Sequence, residues 1–212
     1  VTRDRLTAAL RQCPLVAILR GIRPDEIVAV ADTLVDLGYS MIEVPLNSPD
    51  PLDSISRIAG RYDGAILIGA GTVLSASAVT QVKQAGGSLV VAPNVDSRVI
   101  AEAAKEQMVV LPGFATPTEA FAAIEAGATG LKLFPAEAAS PNILKAQRAV
   151  LPKNVPVLVV GGVQPSNMAG WSAAGADGFG LGSGLYAPGM TAGDVAARAI
   201  LYRKALRGEG RE

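Results

Sequence analysis

TGLKLFP, residues 129–135, has the alternation of a β-strand and carries a lysine in its apolar middle. Side chains of an extended chain point to opposite faces in turn. Gly130, Lys132 and Phe134 therefore share one face, and Leu131 and Leu133 the other. Seven more short β-rich runs resemble it: LVAIL from Leu15, SMIEVPL from Ser40, AILIGAG from Ala65, SLVVAP from Ser88, MVVLPG from Met108, VPVLVVGG from Val155 and DGFGLGSG from Asp177. Their centres lie roughly 20 to 26 residues apart, the pitch of a strand plus a helix.

Helical patterns fill the gaps. The segment from Pro24 starts with a proline and an acidic turn and closes on Gly38. The segment from Ser75 has a serine cap and ends on Gly86 and Gly87. The segment from Thr116 offers a cap, Pro117 in the first turn and Glu119 three residues on. Eight alternating units within 212 residues predict one α/β domain spanning 1–212, a (β/α)₈ TIM barrel. A doubly wound open sheet is the competing reading, but the first turn, LRGIRP, is not a GxGxxG fingerprint. Residues 1–13 read as a short amphipathic helix with no evident function, and 207–212 as a frayed tail.

Composition removes several function classes. The chain has no histidine and one cysteine, Cys13, so a histidine triad, a histidine metal cluster and an internal disulfide are excluded. Lys plus Arg equals Asp plus Glu, 19 each, and only 4% of residues are aromatic, which leaves no basic or stacking surface for nucleic acid. No apolar run reaches the roughly 20 residues of a membrane span, and the first residues lack a secretory h-region. A cytoplasmic protein is expected, with no metal and no cofactor. A mean hydropathy of +0.34 suggests surface buried between subunits.

Barrels of this kind carry their sites at the C-terminal ends of the strands. Outward faces pack on helices and must be apolar. Leu131 and Leu133 satisfy that on the sixth run, and Ile42 and Val44 on the second, so Lys132 and Glu43 should both face the barrel mouth. A desolvated lysine has a lowered pKa, and its neutral amine can form a Schiff base with a ketone. Glu43 is then the acid–base partner, since no histidine is available. A structural Lys132–Glu43 ion pair is the plainer alternative. Gly161 and Gly162 after the seventh run, and Gly182 and Ser183 after the eighth, offer backbone N–H groups for a phosphate, or merely make tight turns. Thr72 could bind a carboxylate or cap the next helix, a task for which Ser75 competes. Arg20 could grip a carboxylate or phosphate, or form a surface ion pair.

The motifs ILRG, IEVPLNSP, IGAGTV, APN, LPGFATPTEA, LKLFPAE, VGGVQPSN and LGSGLY resemble the bacterial 2-keto-3-deoxy-6-phosphogluconate (KDPG) and 6-phosphogalactonate (KDPGal) aldolases. The likeness runs from about Pro14 to about Ala205. It implies a metal-independent class I aldolase, typically trimeric, that cleaves a phosphorylated keto-deoxy sugar acid to pyruvate and glyceraldehyde 3-phosphate. Lys132 matches the family's Schiff-base lysine and Glu43 its general acid/base. Arg20 and Thr72 match substrate-binding positions, and Gly161, Gly162, Gly182 and Ser183 the phosphate loops. Asn47 stands where the gluconate type usually has arginine, and Val160 where it has threonine, so the resemblance favours the 6-phosphogalactonate members. The gluconate epimer, a phosphosugar isomerase or epimerase using Glu43 as base, and a non-catalytic phosphometabolite-binding barrel are the alternatives, in that order.

Overall fold

The computed structural model describes residues 2–208. Strands β1 (Leu15–Ile18), β2 (Met41–Pro45), β3 (Leu67–Gly71), β4 (Leu89–Val91), β5 (Val109–Leu111), β6 (Gly113–Phe114), β7 (Leu131–Leu133), β8 (Val157–Val160) and β9 (Gly178–Leu181) form one sheet. Its order is β5-β4-β3-β2-β1-β9-β8-β7-β6, and every pairing is parallel. The two ends of that order, β5 and β6, are separated in sequence by Pro112 alone. The sheet therefore curls into a near-closed barrel, enclosed by helices.

Eight strands are expected from the sequence and nine segments are found. Pro112 accounts for the difference. It has no N–H to give a ladder, so the fifth run breaks into one piece that pairs with β4 and another that pairs with β7. The Pro112 carbonyl still accepts from the Lys132 N–H at 2.9 Å, which ties the break to the strand that carries the lysine.

Alternation divides the apolar residues into two cores. Val16, Met41, Leu67, Leu89, Val91, Val109, Leu111 and Leu158 fill the barrel interior. Ile42, Val44, Ile68, Val90, Val110, Leu131, Leu133, Val157 and Val159 point outward and pack on the helices. Helix α1 (Thr2–Gln12) contributes Leu6 and Ala9 to the inner core. It closes the N-terminal mouth of the barrel, the role that the sequence leaves unassigned. Ser40 Oγ donates to the Ala9 carbonyl at 2.8 Å and Arg5 to Ser88 Oγ at 3.2 Å, which pins the plug at both ends of its contact.

Two predicted helix starts hold and one shifts. Helix α6 (Pro117–Glu125) has the full capping box of Thr116 and Glu119, and α4 (Ala76–Gln84) is capped by Ser75. Helix α2 (Ile27–Asp36) starts after Pro24, not at it. Arg23 pairs with Asp25 at 3.0 Å and the Glu26 N–H donates to the Arg23 carbonyl, so residues 23–26 close as a turn before the helix begins. The remaining helices are α3 (Pro51–Tyr62), α5 (Ser97–Lys105), α7 (Pro141–Val150), α8 (Met168–Ala173) and α9 (Ala192–Leu206). No helix among the described residues is long and apolar enough to cross a membrane. Of the frayed tail expected at 207–212, residues 209–212 lie outside the described residues.

Candidate active site

At the C-terminal end of the barrel is a pocket of about 200 Å³. Arg20, Glu43, Thr72, Lys132, Val160, Gly161, Gly162, Gly182 and Ser183 all line it. Hollows at the opposite end, beside Arg5 and Ile66, bring no acid–base pair together. The parallel register does the gathering, since it aligns the ends of strands that are far apart in sequence.

Lys132 and Glu43 both point inward, with 7% and 2% of their surface exposed. Burial penalises the charged form of each. The Lys132 ammonium is therefore pushed below the ordinary lysine range by desolvation, against the opposing pull of the Glu43 charge. Desolvation likewise raises the Glu43 carboxyl to about 7, against the lowering influence of Lys132 and then Arg20. The Lys132 Nζ lies 4.4 Å from the centroid of the Phe134 ring, which covers it on one side. Glu43 Oε2 is buried without a hydrogen-bond partner. A purely structural ion pair would satisfy that oxygen. An acid poised near neutrality and an amine that readily loses its proton can instead exchange protons with a bound carbonyl compound.

Glu43 keeps its position because β3 has no side chain beside it. A Cβ on Gly71 would overlap Glu43 Oε2. The φ of Gly71 is not in the left-handed region, so the requirement is for space alone. Gly71→Ala is expected to fold and to displace the carboxyl, with kcat falling on the order of 10²-fold. Steady-state kinetics with a thermal melt checks this; a kcat within about threefold of wild type would show that the carboxyl position is not critical.

Arg20 donates to Asn47 Oδ1 at 2.6 Å and to Thr72 Oγ1 at 3.4 and 3.5 Å. The plain surface ion pair considered for Arg20 is absent among the described residues. Thr72 has φ +56°, an uncommon conformation for a β-branched residue that costs on the order of 1–3 kcal/mol. Ser75 accepts from the Ala78 N–H and is the cap of α4, which leaves the Thr72 hydroxyl to the mouth. Asn47 does not line the pocket. It reaches the site only by holding Arg20.

The glycine loops after β8 and β9, which are paired neighbours in the sheet, lie side by side in the pocket wall. Gly161 and Gly162 have φ of +110° and +61°, open to glycine and strained for other residues. No backbone carbonyl among the described residues takes the N–H groups of Gly161, Gly162, Val163, Ser183 or Gly184. Unspent donors on two adjoining loops are what an anion needs. Two pocket residues with polar side chains, Glu137 and Gln164, were not singled out from the sequence. Glu137 sits on a one-turn 3₁₀ helix (Ala136–Ala138), and a Cβ on Gly161 would overlap its carboxylate. Its place right after β7 within LKLFPAE was the available signal, but only the folded turn lays it over the seventh-run glycines.

The family model of KDPG and KHG aldolase matches residues 6–199. The probable 2-dehydro-3-deoxy-6-phosphogalactonate aldolase of Rhizobium meliloti (strain 1021) is 49% identical over 197 residues, 93% of each chain. The 2-dehydro-3-deoxy-6-phosphogalactonate aldolase of Escherichia coli (strain K12) is 48% identical over 194 residues, 92% of this chain and 95% of the other. A solved structure of native KDPGal superposes with a TM-score of 0.91 at 47% identity, covering 93% of this chain and 96% of that one. An inward-facing polar mouth on a parallel barrel with this likeness is that of a carbon–carbon lyase. The chain belongs to the KDPG and KHG aldolase family.

Proposed function

We propose that the protein cleaves 2-dehydro-3-deoxy-6-phosphogalactonate to pyruvate and D-glyceraldehyde 3-phosphate through a Schiff base on Lys132. The observation that carries this reading is the buried amine and the buried, unpartnered carboxyl in one pocket. The neutral Lys132 amine adds to the C2 ketone. Glu43 gives its proton to the carbinolamine oxygen, which leaves as water. The resulting carboxylate takes the proton of the C4 hydroxyl as the C3–C4 bond breaks, and the bonding pair moves into the iminium to give an enamine. Protonation at C3 and hydrolysis release pyruvate and restore the lysine.

The hydrogen-bonded Arg20 and Thr72 are assigned to the substrate carboxylate, and the loops at Gly161–Gly162 and Gly182–Ser183 to the phosphate. Reduction by borohydride in the presence of pyruvate should attach one pyruvyl group to Lys132. No adduct, or an adduct on another lysine, rejects the mechanism.

Val160 is assigned to the choice between C4 epimers, because it lines the pocket and cannot hydrogen-bond a hydroxyl. Val160→Thr should shift the ratio of kcat/KM for the two epimers toward the gluconate form by about fivefold, the worth of one ordinary hydrogen bond. An unchanged ratio would remove Val160 from the account. Asn47 belongs to the same assignment, through its hold on Arg20.

A cytoplasmic homotrimer completes the reading. Leu74, Phe121, Ile143 and Val150 are exposed apolar residues that subunit contacts would cover. Light scattering reads the subunit count, and a monomer would refute the trimer; cell fractionation tests the location.

A further inference from the structure

We infer that helix α9 is a brace for the anion cradle, with Arg198 and Tyr202 as positioning residues that hold its two loops in register. The inference rests on the phosphate assignment above and concerns residues outside the pocket. Arg198 and Tyr202 are four apart on α9 and so project from one face of it. Arg198 NH1 donates to the carbonyls of Ser183 at 3.0 Å and Gly184 at 3.4 Å, in the loop after β9. The Tyr202 hydroxyl donates to the Val163 carbonyl at 3.0 Å, in the loop after β8. The same hydroxyl occupies the space that a Cβ on Gly184 would need. Tyr202 thus bonds to one loop and wedges against the other.

This arrangement acts on the N–H groups through peptide geometry. In a trans peptide the carbonyl and the following N–H point in opposite directions. Holding the Ser183 carbonyl toward α9 turns the Gly184 N–H away from α9, toward the mouth that Gly184 lines. Asn167 does the same in the other loop: its Nδ2 donates to the Gly162 carbonyl at 2.9 Å, which turns the Val163 N–H. Tyr202 then fixes that loop at the next carbonyl. The pattern explains why the carbonyls of these loops are engaged while the N–H groups named above remain unspent. The Arg198 guanidinium adds a positive charge behind donors that must meet a dianion.

The test is aldol addition of pyruvate to D-glyceraldehyde 3-phosphate and to unphosphorylated D-glyceraldehyde. Wild type should show a much lower KM for the phosphorylated aldehyde. Arg198→Met and Tyr202→Phe should each raise that KM by about tenfold, with kcat/KM for unphosphorylated glyceraldehyde held within about twofold. Arg198→Lys should recover part of the loss. If wild type discriminates and both variants keep the full preference, the brace is wrong while the phosphate assignment stands. If the variants lose both aldehydes equally, with lower melting temperatures, the contacts are only structural and the inference fails. If wild type itself shows no preference, the phosphate assignment fails and takes the brace with it.

Discussion

Lys132→Ala is expected to lower kcat by at least about four orders of magnitude, roughly 5–6 kcal/mol in the barrier. The protein should remain folded, because the side chain sits in the pocket and contributes no hydrogen bond to the barrel among the described residues. The same amine should declare its environment through pH. Trapping with pyruvate and borohydride needs the neutral form. Since burial pushes the Lys132 ammonium below its ordinary value of 10.5, the trapping rate should climb with pH through a midpoint under that value. A midpoint at the ordinary lysine position would mean that water reaches the amine freely. Residual turnover near the wild-type rate in Lys132→Ala would point to proton abstraction without a covalent intermediate, the isomerase chemistry named as an alternative above.

The double variant Lys132→Met/Glu43→Gln should be inactive and more stable than the wild type. The sign follows from linkage. Glu43 titrates at about 7 in the folded protein against 4.5 ordinarily, so between those values the folded chain keeps a proton that the unfolded chain has lost. Its contribution to stability is complete below 4.5 and disappears as pH rises through 7, a loss of about 3 kcal/mol. Lys132 behaves in the opposite sense. Its folded form releases a proton that the unfolded chain holds up to 10.5, so its penalty is full at low pH and fades as pH approaches 10.5. At neutral pH both groups are held against their solvation preference. Replacing a buried charged pair with neutral side chains of similar shape often gains about 1–4 kcal/mol. A chain of this size responds with roughly 2–4 °C in Tm per kcal/mol. The share of the gain that comes from Glu43 should be larger at pH 8 than at pH 5, where it is already protonated, and the share from Lys132 larger at pH 5. Thermal melts at both values decide it: a double variant less stable than wild type at each would show that the pair supports the fold. Removing Lys132 alone is a different experiment, since it deletes the main influence holding the Glu43 carboxyl down.

The pair was legible before any coordinates because strand parity is a local rule. Leu131 and Leu133, or Ile42 and Val44, must face the helices, and that choice sends Lys132 and Glu43 inward. The capping box at Thr116 was readable for the same reason: its donors and acceptors lie within four residues. Pro24 misled because a proline and an acidic turn also suit the β-turn that the Glu26 N–H closes on the Arg23 carbonyl. Asn47 was singled out from the sequence as a specificity position, but its contact with the site runs through Arg20, a residue 27 positions away. The contacts of α9 with the two glycine loops had no signature at all. Arg198 on a helix that also carries Arg203 and Lys204 reads as solvated charge, and only folding brings it to the Ser183 carbonyl.

The sequence by itself determined the eight-unit alternation, the inward faces of the second and sixth runs and the residue types available at the mouth, because these follow from backbone period and composition. The tertiary structure decided that α1 plugs one end of the barrel, that Pro112 splits the fifth strand, that Gly71 makes room for Glu43 and that α9 ties the glycine loops together. Each of these depends on a distance between segments remote in the chain. Such distances are set by the packing of the whole barrel, which no local pattern encodes.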